Sequence, residues 1–238
     1  MHSSRSFEYN VTLTMPTVSV IVPALDEEAR IPSLLSGLLS LGPDELILVD
    51  GGSTDRTACL AERYATVLRS AAGRAVQMNA GARAASGDVL LFLHADARLD
   101  PTGLVALRNA MTDPAVAGGT FDIRYEGGDL AARAFTSLNR VRRRCGIFYG
   151  DAGIFCRRAL FHRLGGYRDW PIMEDYEFAR RLWKAGPLAL LAEPIWISDR
   201  RWRHGGMLRT LASWVLIQGL YYARVPPQRL ARFYPHIR

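Results

Sequence analysis

Apolar runs and helical patterns alternate along the first half of the chain. Four short runs, rich in β-branched residues or leucine, predict buried strands: residues 18–22 (stopped by Pro23), 45–49, 67–68 and 89–93. Three segments between them predict helices: residues 31–41, a helix running to Tyr64 that Ser53 or Thr54 can cap, and residues 75–85. Because strands and helices alternate across short loops, we expect an α/β fold with a mostly parallel sheet flanked by helices.

The second half is less regular. Its patterns predict helices over residues 101–111, 130–141 and 174–185, strands over residues 118–125 and 153–156, and a final apolar segment over residues 211–223. We see no internal repeat and no clear boundary between the halves. We therefore expect a leader over residues 1–16, one α/β domain over residues 17–205, and a C-terminal helical extension over residues 206–238.

Ionisable residues follow directly after three of the predicted strands. They are Asp26 and Glu27, Asp50, and the pair His94 and Asp96. Because ligands bind at the carboxyl ends of parallel strands, we expect these side chains along one rim of the sheet. A carboxylate there can bind a ribose hydroxyl or a base N–H, and a pair of ligands can hold a divalent cation on a diphosphate. For Asp50 an ordinary turn remains an equal alternative, because Gly-Gly-Ser-Thr follows it.

The charge of the chain changes this picture only in part. With 30 basic and 23 acidic residues among 238, the formal charge is +7, and Lys184 is the only lysine. The arginine excess suits an anionic partner such as a nucleotide, a lipid headgroup or nucleic acid. The codon bias of a GC-rich genome would give the same composition, so the charge does not choose among these partners.

The cysteines and the apolar segments bear on where the protein works. Cys59, Cys145 and Cys156 lack the spacing of a zinc site, so we expect reduced thiols in a cytoplasmic protein. The N-terminus lacks the hydrophobic segment of a signal peptide. Residues 211–223 are too short to span a membrane. They predict either a structural helix packed on the domain or an amphipathic helix in peripheral contact with the inner face of the membrane.

Several segments resemble the motifs of family 2 glycosyltransferases and follow them in the same order along the chain. These are nucleotide-sugar-dependent enzymes of the GT-A fold. The opening motifs are VIVPALDEE at residues 20–28, VDGGSTD at residues 49–55 and FLHAD at residues 92–96. Further matches are NAG at residues 79–81, GDAGIF at residues 150–155, LGGY at residues 164–167 and MEDYE at residues 173–177. The resemblance runs from about residue 18 to about residue 202. The chain also resembles a small bacterial subgroup associated with radical-SAM and selenodomain genes.

The resemblance implies an inverting transfer of one sugar from a nucleotide sugar, UDP by preference, to a hydroxyl or carboxyl acceptor of lipid-like character. Asp175 would be the catalytic base that takes the acceptor proton, assisted by Glu174. Asp96 would bind Mn²⁺ or Mg²⁺ on the diphosphate. His94, where the family has an acid, would ligate the cation or donate to the ribose or a phosphate. The implied nucleotide contacts are Pro23, Ala24, Leu25, Glu27, Asp50, Arg74, His94, Asp96 and Arg201.

Two basic segments need separate interpretation. Residues 200–204 (RRWRH) partly match a further family element, but its glutamine position falls at Ser198, which favours single-sugar transfer over polymer synthesis. Arg201 would neutralise the leaving diphosphate; a basic surface segment is the alternative. We expect the arginine cluster within residues 140–144 in a loop near the acceptor site, facing anionic lipid and not nucleic acid.

Two other functions remain open. His94 and the missing glutamine are compatible with a catalytically inactive nucleotide-sugar-binding protein. They are also the only features that favour it. A nucleotidyltransferase would need a glycine-rich basic loop after the first strand, whereas residues 25–28 (LDEE) would repel a triphosphate.

Overall fold

The computed structural model of the chain describes residues 15–126, 130–198 and 207–233. The strands are β1 (Val18–Ala24), β2 (Glu45–Asp50), β3 (Thr66–Arg69), β4 (Val89–Phe92), β5 (Ala97–Leu99), β6 (Gly118–Tyr125), β7 (Phe155–Arg157) and β8 (Leu188–Ile197). The helices are α1 (Ile31–Ser40), α2 (Thr57–Ala61), α3 (Arg74–Ala84), α4 (Gly103–Met111), α5 (Leu130–Arg144), α6 (Arg158–Arg163), α7 (Glu174–Ala185), α8 (Met207–Tyr222) and α9 (Pro227–Leu230). Short 3₁₀ turns lie at Gly150–Ala152 and Ala231–Phe233.

All these strands belong to one sheet, in the order β3–β2–β1–β4–β7–β6–β8–β5. The first four positions are mutually parallel. β7 enters antiparallel between β4 and β6, β8 is parallel to β6, and β5 closes the edge antiparallel to β8. Helices cover this mostly parallel sheet, which confirms the expected α/β fold.

Strand β1 is buried along its whole length, as its run of β-branched residues predicts. It continues through Pro23 to Ala24, two residues further than expected. The ladder to β4 ends at Ile21, whose carbonyl accepts from the Leu93 N–H at 3.0 Å. Backbone groups alternate in direction along a strand, so the missing N–H of Pro23 falls on the β4 side, beyond the last bond of that ladder. The proline therefore ends the ladder to β4 at this point, because it lacks the N–H that would make the next bond.

The expected cap of the second helix is wrong. α2 begins at Thr57, after Arg56, and not at Ser53 or Thr54. Both side chains are engaged elsewhere: the Ser53 hydroxyl donates to Asp50, and the Thr54 hydroxyl donates to Asp26 at 3.2 Å. The two hydroxyl groups that the local sequence pattern assigned to a helix cap therefore form hydrogen bonds within and between two loops.

The apolar C-terminal segment forms the long helix α8, whose inner face is packed. Its Ile217 joins Ile172, Met173, Tyr176 and Leu230 in a small second core. Among the described residues, no helix combines the length and the hydropathy needed to cross a bilayer.

The arginine cluster lies in the last turn of α5, which corrects the expected loop. Arg140 binds the buried Asp122 through two nitrogens, Arg142 donates to the Tyr149 hydroxyl at 2.7 Å, and Arg143 donates to the Leu191 carbonyl at 2.8 Å. Arg140 and Arg143 therefore hold α5 on the sheet, because a buried carboxylate and a buried carbonyl need donors, and Arg142 ties α5 to the segment before β7.

Candidate active site

One edge of the sheet gathers the segments that contain the predicted site. The carboxyl ends of β1, β2 and β4 meet there because these strands are parallel. β7 runs the opposite way beside β4, pairing Phe155 with Leu91, so the segment just before β7 returns to the same edge. The loops after three strands and the loop before a fourth therefore surround a common region, as expected for ligand sites in such sheets.

The loops after β1 and β2 are locked together. Asp26 has the left-handed φ of 53°, a conformation that aspartate tolerates better than most side chains. Its carboxylate accepts from the Thr54 N–H at 2.8 Å, and its own N–H donates to the Ser53 hydroxyl at 3.0 Å. The Glu27 N–H donates to the Thr57 hydroxyl at 2.7 Å. Leu25 and Glu27, two of the residues that the sequence placed along a nucleotide, thus belong to one preformed double loop.

Gln77, which sequence reasoning missed, fixes the floor of this double loop. It lies on α3, is buried, and its amide nitrogen donates to the carbonyls of Ala24 and Val49, both at 2.8 Å. These carbonyls are at the carboxyl ends of β1 and β2. The available signal was a lone glutamine on the sheet-facing side of an alanine-rich helix, where a polar group needs a partner.

Asp50 lies at the expected edge but its carboxylate is used locally. It is 2% exposed and accepts from the N–H groups of Gly52 and Ser53, each at 3.2 Å, and from the Ser53 hydroxyl. These bonds stabilise the turn after β2, as the alternative interpretation expected. A role in binding a base stays a prediction, and it would require Asp50 to share or exchange one of these donors.

His94 and Asp96 occupy a tight turn between β4 and β5. The Ala97 N–H donates to the His94 carbonyl at 3.1 Å, which closes the turn and leaves Asp96 exposed at its tip. Asp96 lies near Glu27. Burial raises the pKa of Glu27, Arg30 lowers it, and the negative charge of Asp96 raises it further. Two neighbouring carboxylates repel each other, and a hard cation that binds their oxygens would neutralise this repulsion.

The metal-binding capacity of this turn is small but fits the predicted use. Within the described residues, no three His, Cys, Asp or Glu side chains gather as a metal site. Asp96, with His94 two residues away, could supply one or two ligands. Mg²⁺ and Mn²⁺ at diphosphates need no more, because phosphate oxygens and water complete their coordination.

Asp175 is the second residue of α7 and reaches the same region. Its Oδ2 accepts from the Gly150 N–H at 2.8 Å and its Oδ1 from the Tyr176 N–H at 2.7 Å. A methyl group added to Gly150 would lie 2.8 Å from His94 Nε2 and 3.2 Å from Asp175 Oδ2. His94 and Asp175 therefore approach one point, and a glycine at position 150 leaves the room for them to do so.

Glu174 is buried behind Asp175 and pairs with Arg74, the first residue of α3. Arg74 Nη2 lies 2.7 Å from Glu174 Oε1, and the carboxylate is 1% exposed. The pKa of Glu174 is raised to about 7, mainly by burial; the charge of Asp175 also raises it, and Arg74 opposes the rise. The pair joins the first turn of α3 to the first turn of α7.

We predict that ionisation of Glu174 weakens the fold as pH rises. Its folded-state pKa is about 7 and its ordinary value 4.5, so the folded chain holds this proton more tightly than the unfolded chain. The associated stability is present below pH 4.5 and is lost as pH rises to about 7. Glu174→Gln removes this titration. Its melting temperature relative to wild type should rise between about pH 5 and about pH 8.

The control for this prediction is Glu62→Gln, at an exposed position after α2. Its melting temperature should stay parallel to that of the wild type over the same pH range. A Glu174→Gln variant that also runs parallel to the wild type would contradict a raised pKa in the folded chain.

A second link joins two of the family-like motifs directly. The Asn79 amide donates to the Tyr167 carbonyl at 2.8 Å, and its oxygen accepts from the Tyr167 N–H at 2.9 Å. A methyl group on Gly166 would come within 2.5 Å of the same amide oxygen. The asparagine of NAG and the glycine of LGGY are therefore structural partners that hold α3 against the segment leading to α7.

Met173 lies just before Glu174 at the N-cap of α7, and its conformation was not predicted from the sequence. Its φ of 64° is left-handed and its side chain is buried, a strained conformation that costs on the order of 1–3 kcal/mol. The packing of the second core around the Met173 side chain holds this conformation in place. Tyr149 stacks on Tyr176 with ring centroids 5.3 Å apart, and the Tyr149 hydroxyl donates to Gln218 of α8.

The structure thus brings together most of the predicted site residues. Those on the loops after β1, β2 and β4 lie at the same edge as Glu174 and Asp175, with Arg74 between the two sides. Arg201 lies outside the described residues. No pattern in the sequence could reveal the stack of Tyr149 on Tyr176 or the hydrogen bond from Tyr149 to Gln218 of α8, because both depend on how distant segments pack.

Comparison with protein families and known proteins agrees with this architecture. The family model "Glycosyl transferase family 2" matches residues 19–164. A "PGL/p-HBAD biosynthesis glycosyltransferase" of Mycobacterium bovis is 30% identical over 187 residues, covering 70% of this chain and 69% of the relative. An "undecaprenyl-phosphate 4-deoxy-4-formamido-L-arabinose transferase" of Shewanella sediminis is 31% identical over 162 residues, covering 61% of this chain; the chain spans 48% of that relative.

Two solved structures share the fold. Staphylococcus aureus TarS, solved with UDP-GlcNAc, superposes with a TM-score of 0.64 at 19% identity, covering 77% of this chain and 58% of that one. Glucosyl-3-phosphoglycerate synthase of Mycobacterium tuberculosis, solved with Mn²⁺, UDP and glucosyl-3-phosphoglycerate, superposes with a TM-score of 0.55 at 25% identity, covering 75% and 70%. These findings do not support the narrower radical-SAM and selenodomain subgroup. The family model spans more than half of the sequence, and the chain therefore belongs to glycosyl transferase family 2.

Proposed function

We propose that this glycosyltransferase moves one sugar from a UDP sugar to an acceptor hydroxyl, with inversion at the anomeric carbon and with help from a divalent cation. One observation supports this above the others. Asp175 Oδ2 and His94 Nε2 lie within 3.2 Å of the same point, at the sheet edge where Asp96 extends from the turn after β4. A proton acceptor and a candidate cation ligand are thus adjacent, as displacement at a sugar diphosphate requires.

Asp175 is the proposed general base. Two backbone N–H groups fix its carboxylate, so it holds one orientation toward the space between α7 and the turn after β4. The acceptor hydroxyl gives its proton to Asp175 while its oxygen bonds to the anomeric carbon. The bond from that carbon to the diphosphate breaks on the opposite face, and the electron pair leaves with the diphosphate. Attack from the opposite face inverts the configuration.

The donor side is proposed to bind the nucleotide with the double loop after β1 and β2. Pro23, Ala24, Leu25 and Glu27 would line the base and ribose, and Asp50 would face the base. Asp96, with His94, would hold Mn²⁺ or Mg²⁺, which supplies positive charge to the leaving diphosphate. Arg74 and Arg201 would add positive charge nearby. UDP as the nucleotide is supported by the 25% identical synthase, which was solved with UDP and Mn²⁺.

The acceptor is proposed to be a lipid-like alcohol. α8 packs against Met173 and Tyr176 on either side of Glu174 and Asp175, while apolar residues on its other face are exposed. The Shewanella relative is named for transfer to undecaprenyl phosphate, a lipid.

We also propose a cytoplasmic location, because the three cysteines are free. Residues 17–205 would form the catalytic domain and residues 206–238 the extension beside it.

A panel of nucleotide sugars tests this function. We expect the full chain with Mn²⁺ to release UDP from one UDP sugar, faster when a long-chain alcohol or lipid phosphate is added, and NMR of the product should give the inverted anomer. GDP and dTDP sugars serve as controls for the nucleotide. Binding of UDP by calorimetry with no turnover on any acceptor would instead indicate an inactive nucleotide-sugar-binding protein.

A further inference from the structure

The outward face of α8 is unusual for a helix in contact with water. Over residues 212–222, where the side chains of α8 are described, the exposed positions follow helical spacing and are all apolar or aromatic: Ala212, Val215, Leu216, Gly219 and Tyr222. Val215 is 71% exposed and Tyr222 53%. Exposed helix faces in water normally present charged and polar side chains. A contiguous apolar face on a packed helix indicates a surface that is covered in use.

The helix is held firmly on its inner side, so this exposure is a fixed property of the fold. Ile217 is buried in the second core, Gln218 accepts from the Tyr149 hydroxyl, and the Tyr222 hydroxyl lies 2.6 Å from that of Tyr176. α8 therefore cannot turn to hide its apolar face.

Helix α5 extends the apolar face sideways. Its Phe135 packs edge-on against Trp214 of α8, with ring centroids 5.9 Å apart, and its Arg142 reaches α8 through Tyr149 and Gln218. Leu138 is one turn from both Phe135 and Arg142, which places it on the side of α5 that faces α8. We name as the α5–α8 surface six exposed residues of the two helices: Leu130, Leu138, Val141, Val215, Leu216 and Tyr222.

The charged residues within α5, α8 and the segment after α8 have one sign. Residues 130–144 and 207–233 contain nine arginines and no aspartate or glutamate. Arg140, Arg142 and Arg143 are engaged with groups of the chain itself, as described above. Five of the others are exposed on or beside the two helices: Arg133, Arg144, Arg224, Arg229 and Arg232. An apolar surface rimmed by arginine is complementary to a bilayer with anionic headgroups. The apolar side chains would insert between the lipids, and the guanidinium groups would bind the lipid phosphates.

We propose that the α5–α8 surface docks on the surface of an anionic lipid bilayer. A second copy of the chain is a poorer occupant, because a twofold interface would place each arginine rim against its own copy. The exposed tyrosine and the phenylalanine at position 233 suit the interface between headgroups and acyl chains. Both helices would lie in the plane of the bilayer, with the sheet edge above it.

Docking would also bring the proposed acceptor to the site. The inner face of α8 touches Met173 and Tyr176, so a lipid alcohol in the same leaflet would lie beside the segment that contains Asp175. This consequence rests on the proposed function, whereas docking itself does not.

Vesicle co-sedimentation of the full chain without nucleotide sugar tests the proposal. We expect binding to vesicles of phosphatidylcholine mixed with phosphatidylglycerol, weaker binding to phosphatidylcholine alone, and release of part of the protein by high salt. Val215→Glu and Leu216→Glu should each lower binding by about tenfold or more, because a carboxylate would have to enter the bilayer interface. The matched control is Val105→Glu, since Val105 of α4 is 54% exposed on another helix.

Circular dichroism should show that all three variants fold, and light scattering gives the oligomeric state. The proposal is overturned if the wild type does not bind phosphatidylglycerol vesicles, or if Val215→Glu binds as well as Val105→Glu. It is also overturned if the wild type is a dimer that Val215→Glu dissociates, which would make a second copy the occupant. No sugar donor is present, so failure of the transfer reaction would leave these outcomes unchanged.

Discussion

Asp175→Asn is expected to lower the turnover number by about 10²- to 10⁴-fold, the usual contribution of a positioned general base. The amide cannot take the acceptor proton, while the size of the side chain is retained. UDP binding should change little, because Asp175 lies on the acceptor side of the edge. The melting temperature should fall somewhat, since one of the two N–H donors to the carboxylate would then face an NH₂ group.

Asp169→Asn is the matched control, an identical change at an exposed position six residues earlier in the chain. It should leave turnover and melting temperature near the wild-type values. The assignment of the base would be wrong if Asp175→Asn kept full turnover in the assay that detects UDP release.

Asp96→Ala should abolish the dependence of UDP binding on Mn²⁺. Asp96 is exposed at the tip of the turn closed by Ala97 and His94, so its removal should not disturb the fold. A bound cation contributes several kcal/mol of charge stabilisation at a leaving diphosphate, so turnover should fall by about 10²-fold or more. Calorimetry of UDP binding with and without Mn²⁺ separates the loss of the cation from the loss of catalysis.

Two comparisons sharpen this experiment. Glu62→Ala removes an exposed carboxylate far from the edge and should keep the Mn²⁺ dependence. His94→Ala would show whether the imidazole is a ligand or supports the region around Asp175, to which its Nε2 is close. An Asp96→Ala variant with unchanged Mn²⁺-dependent affinity would exclude this turn as the cation site.

The sequence predicted the donor half of the fold well, because local pattern determines it. The runs that form β1, β2 and β4 are buried on both faces, so they are continuously apolar and easily recognised. Their ends were placed within one or two residues. The rule that parallel strands share a carboxyl edge then brought Asp50 and Asp96 to the same region.

Prediction was poorer where long-range packing decides the structure. β8 was missed because the ten residues LALLAEPIWI are interrupted by a glutamate and a proline. In the structure the register of β6 against β8 shifts between Thr120 and Asp122, which accommodates the interruption. The C-terminal end of α5 and the partners of its arginines were missed for a related reason: Asp122 is buried on a neighbouring strand, and only the folded chain brings it to Arg140.

The site shows the same division. The residue types with chemistry were visible in the sequence, including Asp175 in its motif. Their supports were not, since Gln77 and Asn79 act through backbone carbonyls and N–H groups of distant segments. Backbone partners leave no pattern of matching side chains in a single sequence.

The amide of Gln77 has a consequence for the energetics of ligand binding. One buried side chain clamps the ends of β1 and β2 at a set separation, and the loops above them are cross-linked by their own hydrogen bonds. A nucleotide that binds there would meet loops that are already ordered. Little binding free energy would then be spent on ordering the loops after β1 and β2. Gln77→Ala would remove the side-chain donor of both strand-end carbonyls and leave that of Ala24 with the Gly51 N–H, so a cavity far from any reacting atom would loosen the proposed nucleotide side first.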